Sequence, residues 1–182
     1  MATWNWSGPW WTYALWNLAA FTVALVPHSV MEWIAHRFVL HSKAIVKFAY
    51  EEHDQNHHKV YLHDETFSKH GFDYGVDFHL RDWALFLVFV LPMWAGLEYL
   101  IHKPILVGAT ACACMWLHLF NVVHRHFHAP NGGWIEGTWF FSVIRRHHVE
   151  HHRNPRKNFN VAFLPIADFL LGTYSRGPER SS

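Results

Sequence analysis

The chain alternates long apolar runs with short, very polar stretches. Trp10 to Val26 is apolar and leads through Pro27 into an amphipathic continuation ending at His41. Trp83 to Ile101 (WALFLVFVLPMWAGLEYLI) is interrupted only by Pro92 and Glu98. After the break His102-Lys103-Pro104 comes a third run, Ile105 to Val123. Each run is close to the ~20 residues that carry a helix across a bilayer. The pattern predicts an N-terminal crossing followed by a transmembrane hairpin with a very short turn. Trp134 to Ile144 and Phe159 to Leu171 are apolar but too short to span, which leaves a fourth helix as a re-entrant or interfacial candidate. The expected fold is all-α: an integral-membrane helical bundle with three to four transmembrane helices and a polar helical cap.

Charge orients this layout. Of the 15 Lys and Arg, six lie between Glu32 and Arg81, eight follow Val123, Lys103 occupies the hairpin turn, and the first 31 residues have none. With three crossings, 14 of the 15 share one side, which the positive-inside rule makes cytoplasmic. The N-terminus then lies opposite, with Trp4, Trp6, Trp10 and Trp11 at the far interface. One domain is expected: a transmembrane helix over 1–31, polar segments over 32–81 and 124–174, the hairpin over 82–123, and a disordered tail over 175–182. No cleavable signal peptide is evident, because the N-terminus MATWNWSGPWW lacks a basic region. The net charge of +1 gives no support to nucleic-acid binding. Cys112 and Cys114 sit in an apolar run and read as small buried hydrophobes, with no disulfide framework available.

The polar stretches are rich in histidine, with 18 in the chain. They cluster as His36 and His41; His53, His57 and His58; His124, His126 and His128; and His147, His148, His151 and His152. All four groups fall on the predicted cytoplasmic side. Neutral imidazole is the commonest protein ligand for a transition metal. On a helix, residues three or four apart share a face. His148, His151 and His152 can therefore converge on one point while His147 faces elsewhere. His124 and His128 converge while His126 faces away. His53 and His57 are four apart, with His58 one further on. His36 and His41 are five apart, about 140° on an ideal helix, and share a site only if the helix bends or ends there, or each faces a different metal. Ten ligand candidates remain: His36, His41, His53, His57, His58, His124, His128, His148, His151 and His152. Two six-coordinate metals taking five imidazoles each would keep one position open on each, as oxygen-activating iron requires. Imidazole suits iron, zinc, copper and nickel alike, so ligand type alone does not select the metal. His118, inside the third apolar run, is a candidate to orient a ligand.

The ordered motifs HRFVLH (36–41), HDQNHH (53–58), HRHFH (124–128) and HHVEHH (147–152) resemble the fatty acid hydroxylase/sterol desaturase superfamily of membrane di-metal oxygenases. Asp64 follows the second motif at the family's spacing. Asn158, Phe159, Asp168, Gly172 and Thr173 are similar to its C-terminal pattern. The likeness covers Glu32 to Thr173. It departs from the family in the three residues between His53 and His57, in Asn160 where Gly is usual, in Ala129, and in Asn121 where an Asp is common. The resemblance implies two iron ions (zinc as purified), O2, and a lipid or other hydrophobic substrate, a fatty acyl chain first. It also implies a separate electron donor of ferredoxin, rubredoxin or cytochrome b5 type. The implied reaction is hydroxylation of a C–H bond, with desaturation or sterol or carotenoid oxidation as alternatives. It places Asp64, His118, Asn121 and Asp168 as candidates to support the ligands, with Glu32, Glu51, Glu52, Asp54 and Glu150 as further acidic partners. Arg145, Arg146, Arg153, Arg156 and Lys157 would face the donor or anionic headgroups. Outside that class, a histidine-rich metal transporter or store and a haem protein compete.

Overall fold

The structure, a computed structural model, describes residues 8–68, 80–161 and 163–177. Every regular element among them is helical. In chain order these are α1 (Trp10–Ile34), a π-helical segment (Ala35–Leu40), α2 (Lys47–Tyr50), a second π-helical segment (Glu51–His57) and α3 (His58–Val60). A 3-10 turn (Glu65–Phe67), α4 (Leu80–Ile101), α5 (Leu106–His128), a 3-10 turn (Trp134–Gly137), α6 (Trp139–Arg153) and α7 (Ile166–Leu170) follow. The chain divides into two compact units, Met1–His28 with Phe78–His118, and Ser29–Asp77 with Leu119–Ser182.

The first unit carries the apolar runs. Two helical stretches are long and apolar enough to cross a membrane, Trp10–Leu40 and Leu106–His128. The expected crossing Trp83–Ile101 lies on the 22-residue α4, of which Phe86–Ile101 is the apolar stretch among the described residues. Among the described residues two stretches are thus long and apolar enough to span. Neither Pro27 nor Pro92 ends its helix. Glu98 explains itself as a cap: its Oε2 accepts from the backbone N–H groups of Ile105 (2.8 Å) and Leu106 (2.6 Å), satisfying donors at the start of α5. Gly108 lets α1 and α5 approach closely. Its N–H donates to Asn17 Oδ1 at 2.7 Å, and a Cβ at Gly108 would run into the Asn17 backbone. Ala24, Val90, Ala109, Cys112 and Trp116 fill the interior, whereas Leu18, Val23, Phe89 and Leu100 lie exposed, an apolar exterior suited to lipid. Cys112 is buried, in agreement with its reading as a small hydrophobe, whereas Cys114, expected buried as well, is only half-buried. Trp10 is 81 % exposed; Trp4 and Trp6 lie outside the described residues.

The second unit holds the polar motifs. Phe67, Val123, Phe127, Phe141 and Ile144 form its main core, and Trp33, Phe159 and Ala167 a second. Thr138 caps α6 by accepting from Phe141 N–H at 3.1 Å. The two short apolar stretches expected as interfacial candidates resolve differently. The first supplies a 3-10 turn and the start of α6, the second mostly irregular chain and the five-residue α7. That chain is fixed by Asp168, which is fully buried. Its carboxylate accepts from Phe159 N–H (2.9 Å), Asn160 N–H (2.8 Å) and Thr173 Oγ1 (2.6 Å). Asn160 pins the same segment to α1, donating to Ser29 O (2.8 Å) and Glu32 Oε2 (3.1 Å). Ser175, expected to begin a disordered tail, donates from its N–H to Asn158 Oδ1 at 2.7 Å, and 178–182 lie outside the described residues.

Candidate metal centre

The histidine motifs meet inside the second unit as two adjacent sets. His36, His41, His53, His58 and His151 form one, and His57, His124, His128 and His148 the other. Within each set the ligand nitrogens all lie within 4.8 Å of one another. Nine of the ten ligands expected from sequence are in a set. The tenth, His152, stands beside them with its Nε2 3.2 Å from that of His148 and its ring stacked on His58 at 4.2 Å.

Local helix geometry explains the sorting. His36 and His41 are five apart, as are His53 and His58, and both pairs belong to the five-histidine set. Each pair runs from within a π-helical segment to the residue that closes it, where the repeat is i→i+5 rather than i→i+4, so residues five apart come to one side. The spacing that strains an α-helix is the one a π-helix satisfies. His124 and His128, on regular α5, share the other set at i, i+4, as expected. α6 does not behave as expected: His148 and His151 part company. His148 Nε2 lies 2.9 Å from His128 Nε2, and His151 Nε2 lies 3.0 Å from His41 Nε2. An i, i+3 step leaves about 60° between side chains, enough to serve two neighbouring centres.

The rings are held by their outer nitrogens. His36 Nδ1 donates to Phe159 O (2.6 Å), His41 Nδ1 to Asp54 Oδ1 (2.7 Å) and His128 Nδ1 to Phe67 O (2.8 Å). His151 Nδ1 donates to Lys157 O (2.7 Å) and His152 Nδ1 to Tyr61 O (2.6 Å). Each bond places the proton on Nδ1 and turns a bare Nε2 lone pair inward, the usual support behind a metal-binding imidazole. The pair His41 and His151 supports a metal site. Both Nδ1 protons are committed, and the two Nε2 atoms are 3.0 Å apart. Protonating either ring would relieve the clash of lone pairs, but burial lowers the pKa of His41 and holds that of His151 well below the ordinary imidazole range. A shared cation would relieve it instead. Burial likewise depresses His53, His58, His148 and His152, keeping them in the neutral form that binds metal.

The spacings also fit. With metal–nitrogen bonds of about 2.1 Å, neighbouring nitrogens lie about 3.0 Å apart on an octahedron and about 3.4 Å on a tetrahedron. The close pairs here span 2.9 to 3.2 Å. Buried histidine sets of this kind can hold metal ions.

Several expectations about supporting residues need correction. Asp64 is exposed and caps the 3-10 turn Glu65–Phe67, accepting from Thr66 N–H at 2.8 Å; it reaches no ligand itself. His118 is exposed in α5 and joins neither set. Asn121 is half-buried and also outside both. Asp168 supports a ligand indirectly, by fixing the Phe159 backbone whose carbonyl holds His36. The carboxylate that touches a ligand is Asp54, one of several acidic candidates and not the one its motif position favoured. His126 and His147, set aside on helical phase, bond carboxylates instead: His126 Nδ1 to Glu136 Oε1 (2.6 Å) and His147 Nε2 to Asp168 Oδ2 (3.1 Å). The four supporting backbone carbonyls carry no side-chain signal in the sequence. His70 and His79 lie outside the described residues.

No family model, curated protein or solved structure matches the chain.

Proposed function

We propose that the protein is a membrane-bound di-metal oxygenase. More particularly, it is a di-iron enzyme that hydroxylates a C–H bond of a lipid, a fatty acyl chain first, using O2 and electrons from a separate donor. The observation that carries this reading is the pair of adjacent, buried, all-imidazole sets, with the His41 and His151 lone pairs turned on each other. Two iron ions held there would supply the reduction of O2 and the hydrogen abstraction that C–H oxidation needs.

The chain's own residues do the rest. The imidazoles bring no negative charge, so the centre stays electron-poor. Asp54 and the carbonyls of Phe159, Phe67 and Lys157 fix the ring orientations. Phe67, Phe120 and Phe127 pack on the rings of the four-histidine set and limit water there. The apolar helices hold the protein in lipid, where a hydrocarbon substrate is already concentrated. The clustering of Lys and Arg, read by the positive-inside rule, supports a cytoplasmic position for the histidine sets, where a soluble ferredoxin, rubredoxin or cytochrome b5 type donor would reach them.

Protein purified without a metal-affinity tag should contain about two irons per chain, consistent with one ion per histidine set. Lipids of a host expressing it should show a gain of about 16 Da for hydroxylation, or a loss of about 2 Da for desaturation at the same site. His151→Ala should abolish either product. Bound metal with unchanged lipids would favour a metal store or transporter, and full turnover by His151→Ala would sink the oxygenase reading.

A further inference from the structure

Among the described residues of the first unit, three buried side-chain atoms have no hydrogen-bond partner, on His28, Trp94 and Thr110, and the first two belong to neighbouring rings. His28 in α1 is 1 % exposed and Trp94 in α4 is 5 % exposed. Their ring centroids are 6.0 Å apart, and Phe86 packs on His28 at 6.2 Å. His28 Nδ1 lies 2.7 Å from the carbonyl oxygen of Ala24. A carbonyl can only accept, so Nδ1 carries the ring proton and Nε2 is left as a pure acceptor. That Nε2 is buried without a hydrogen-bond partner, and so is the Trp94 indole N–H, a pure donor. Buried polar groups are overwhelmingly paired, and an orphan forfeits its hydration for nothing. Here an orphan acceptor and an orphan donor occur in neighbouring rings.

A hydroxyl can both donate to His28 Nε2 and accept from the Trp94 indole; an alcohol brings such a group, as does water, which the test below tells apart. A carbonyl, ether or phosphate diester can accept from the indole but has no proton for His28, and an ammonium can donate but not accept. The rest of the neighbourhood is apolar. Ala20, Ala24 and Val90 are buried in the same helices, and the outer faces of α1 and α4 carry exposed Leu18, Val23 and Phe89. The molecule that brings the hydroxyl is therefore hydrocarbon-rich. We propose that His28 and Trp94 form a binding site for the hydroxyl group of a long-chain lipid alcohol. Neither residue belongs to a histidine set, so the proposal stands whether or not the protein is an oxygenase.

The test reads the Trp94 indole by 1H–15N NMR, in a detergent that has no hydroxyl groups. Comparison with Trp94→Phe assigns its resonance among the 11 tryptophans. Dodecan-1-ol is titrated against dodecane in the wild-type protein, and the alcohol should reach half its effect at about tenfold lower concentration, as one well-formed hydrogen-bonded site gives. His28→Phe should remove the difference. Equal responses to alcohol and alkane overturn the proposal. So does an indole proton that exchanges with water and stays unmoved by the alcohol, which assigns the site to a buried water. The comparison in wild type keeps the test decisive even where His28→Phe fails to fold.

Discussion

Asp54 offers a direct way to tell the two histidine sets apart. Its Oδ1 takes the Nδ1 proton of His41 at 2.7 Å, and its Oδ2 accepts from Gln55 at 2.6 Å. His41 belongs only to the five-histidine set. Removing the partner behind a metal-bound histidine costs roughly 10- to 100-fold in metal affinity, or ~1.4–2.7 kcal/mol. Asp54 is 25 % exposed, so solvent screens part of its charge. Asp54→Asn retains an oxygen acceptor and should fall near the tenfold end. Asp54→Ala removes the acceptor and should approach a hundredfold. Iron-loaded protein is dialysed against graded chelator, and retained metal per chain is measured by mass spectrometry. Each variant should release one equivalent at a correspondingly lower chelator concentration and hold the second as the wild type does. Release of both metals at one shifted midpoint would refute the division into two sets. An unshifted curve would refute the role of Asp54.

Asp168→Ala should cost about 3–5 kcal/mol, because it leaves His147, Thr173 and two backbone N–H groups facing a void; thermal unfolding in detergent measures this, and a loss under about 1 kcal/mol would contradict it. Gly108→Ala should destabilise the first unit by about 1–3 kcal/mol, since the new methyl meets Asn17 backbone that cannot turn aside, while metal content stays unchanged. An unaltered midpoint would show that the helices can part at no cost. The pH dependence has a defined sign. Burial holds His53, His58, His148, His151 and His152 well below the ordinary imidazole range, whereas unfolded rings take a proton near pH ~6.5. Below that pH the unfolded state binds more protons, so the metal-free protein loses stability as pH falls, by at most about 1.4 kcal/mol per unit for each ring. A flat profile between about pH 8 and pH 5 would contradict the burial of neutral rings.

What the sequence makes legible is which histidines come together. Nine of the ten histidines picked by spacing and motif join a set. Helical phase sets His126 and His147 apart, and neither joins a set on the regular helices α5 and α6. What it hides is partnership. The i, i+5 pairs look like misfits under an α-helical repeat and become natural only once the backbone is π-helical, which no side chain announces. His148 and His151 look like one cluster until each is seen to have a separate facing ring. Asp64 has the motif position but the local chemistry of a turn cap, with Thr66 two residues on, and that competing role wins. Glu98 reads as a flaw in an apolar run until the start of α5 supplies two N–H donors for it.

Adjacent residues that serve different sets also explain how two metals could be held side by side without a bridging carboxylate. Each set consists of histidine alone. His57 and His58 are neighbours in sequence, yet one belongs to each set, and His148 and His151 divide likewise on α6. Two rigid backbone segments thus run across both sites, and the spacing between the sets is the spacing of those side chains along them. His53 stacked on His57 at 5.1 Å and His152 stacked on His58 at 4.2 Å fill the seam. A carboxylate bridge would tie two ions together but neutralise part of their charge. Setting the separation through the backbone leaves every donor neutral, so the full cationic charge remains at the centre. That makes the π-helical segment Glu51–His57 a geometric necessity: a regular α-helix would keep His53 with His57 and take His58 away from both.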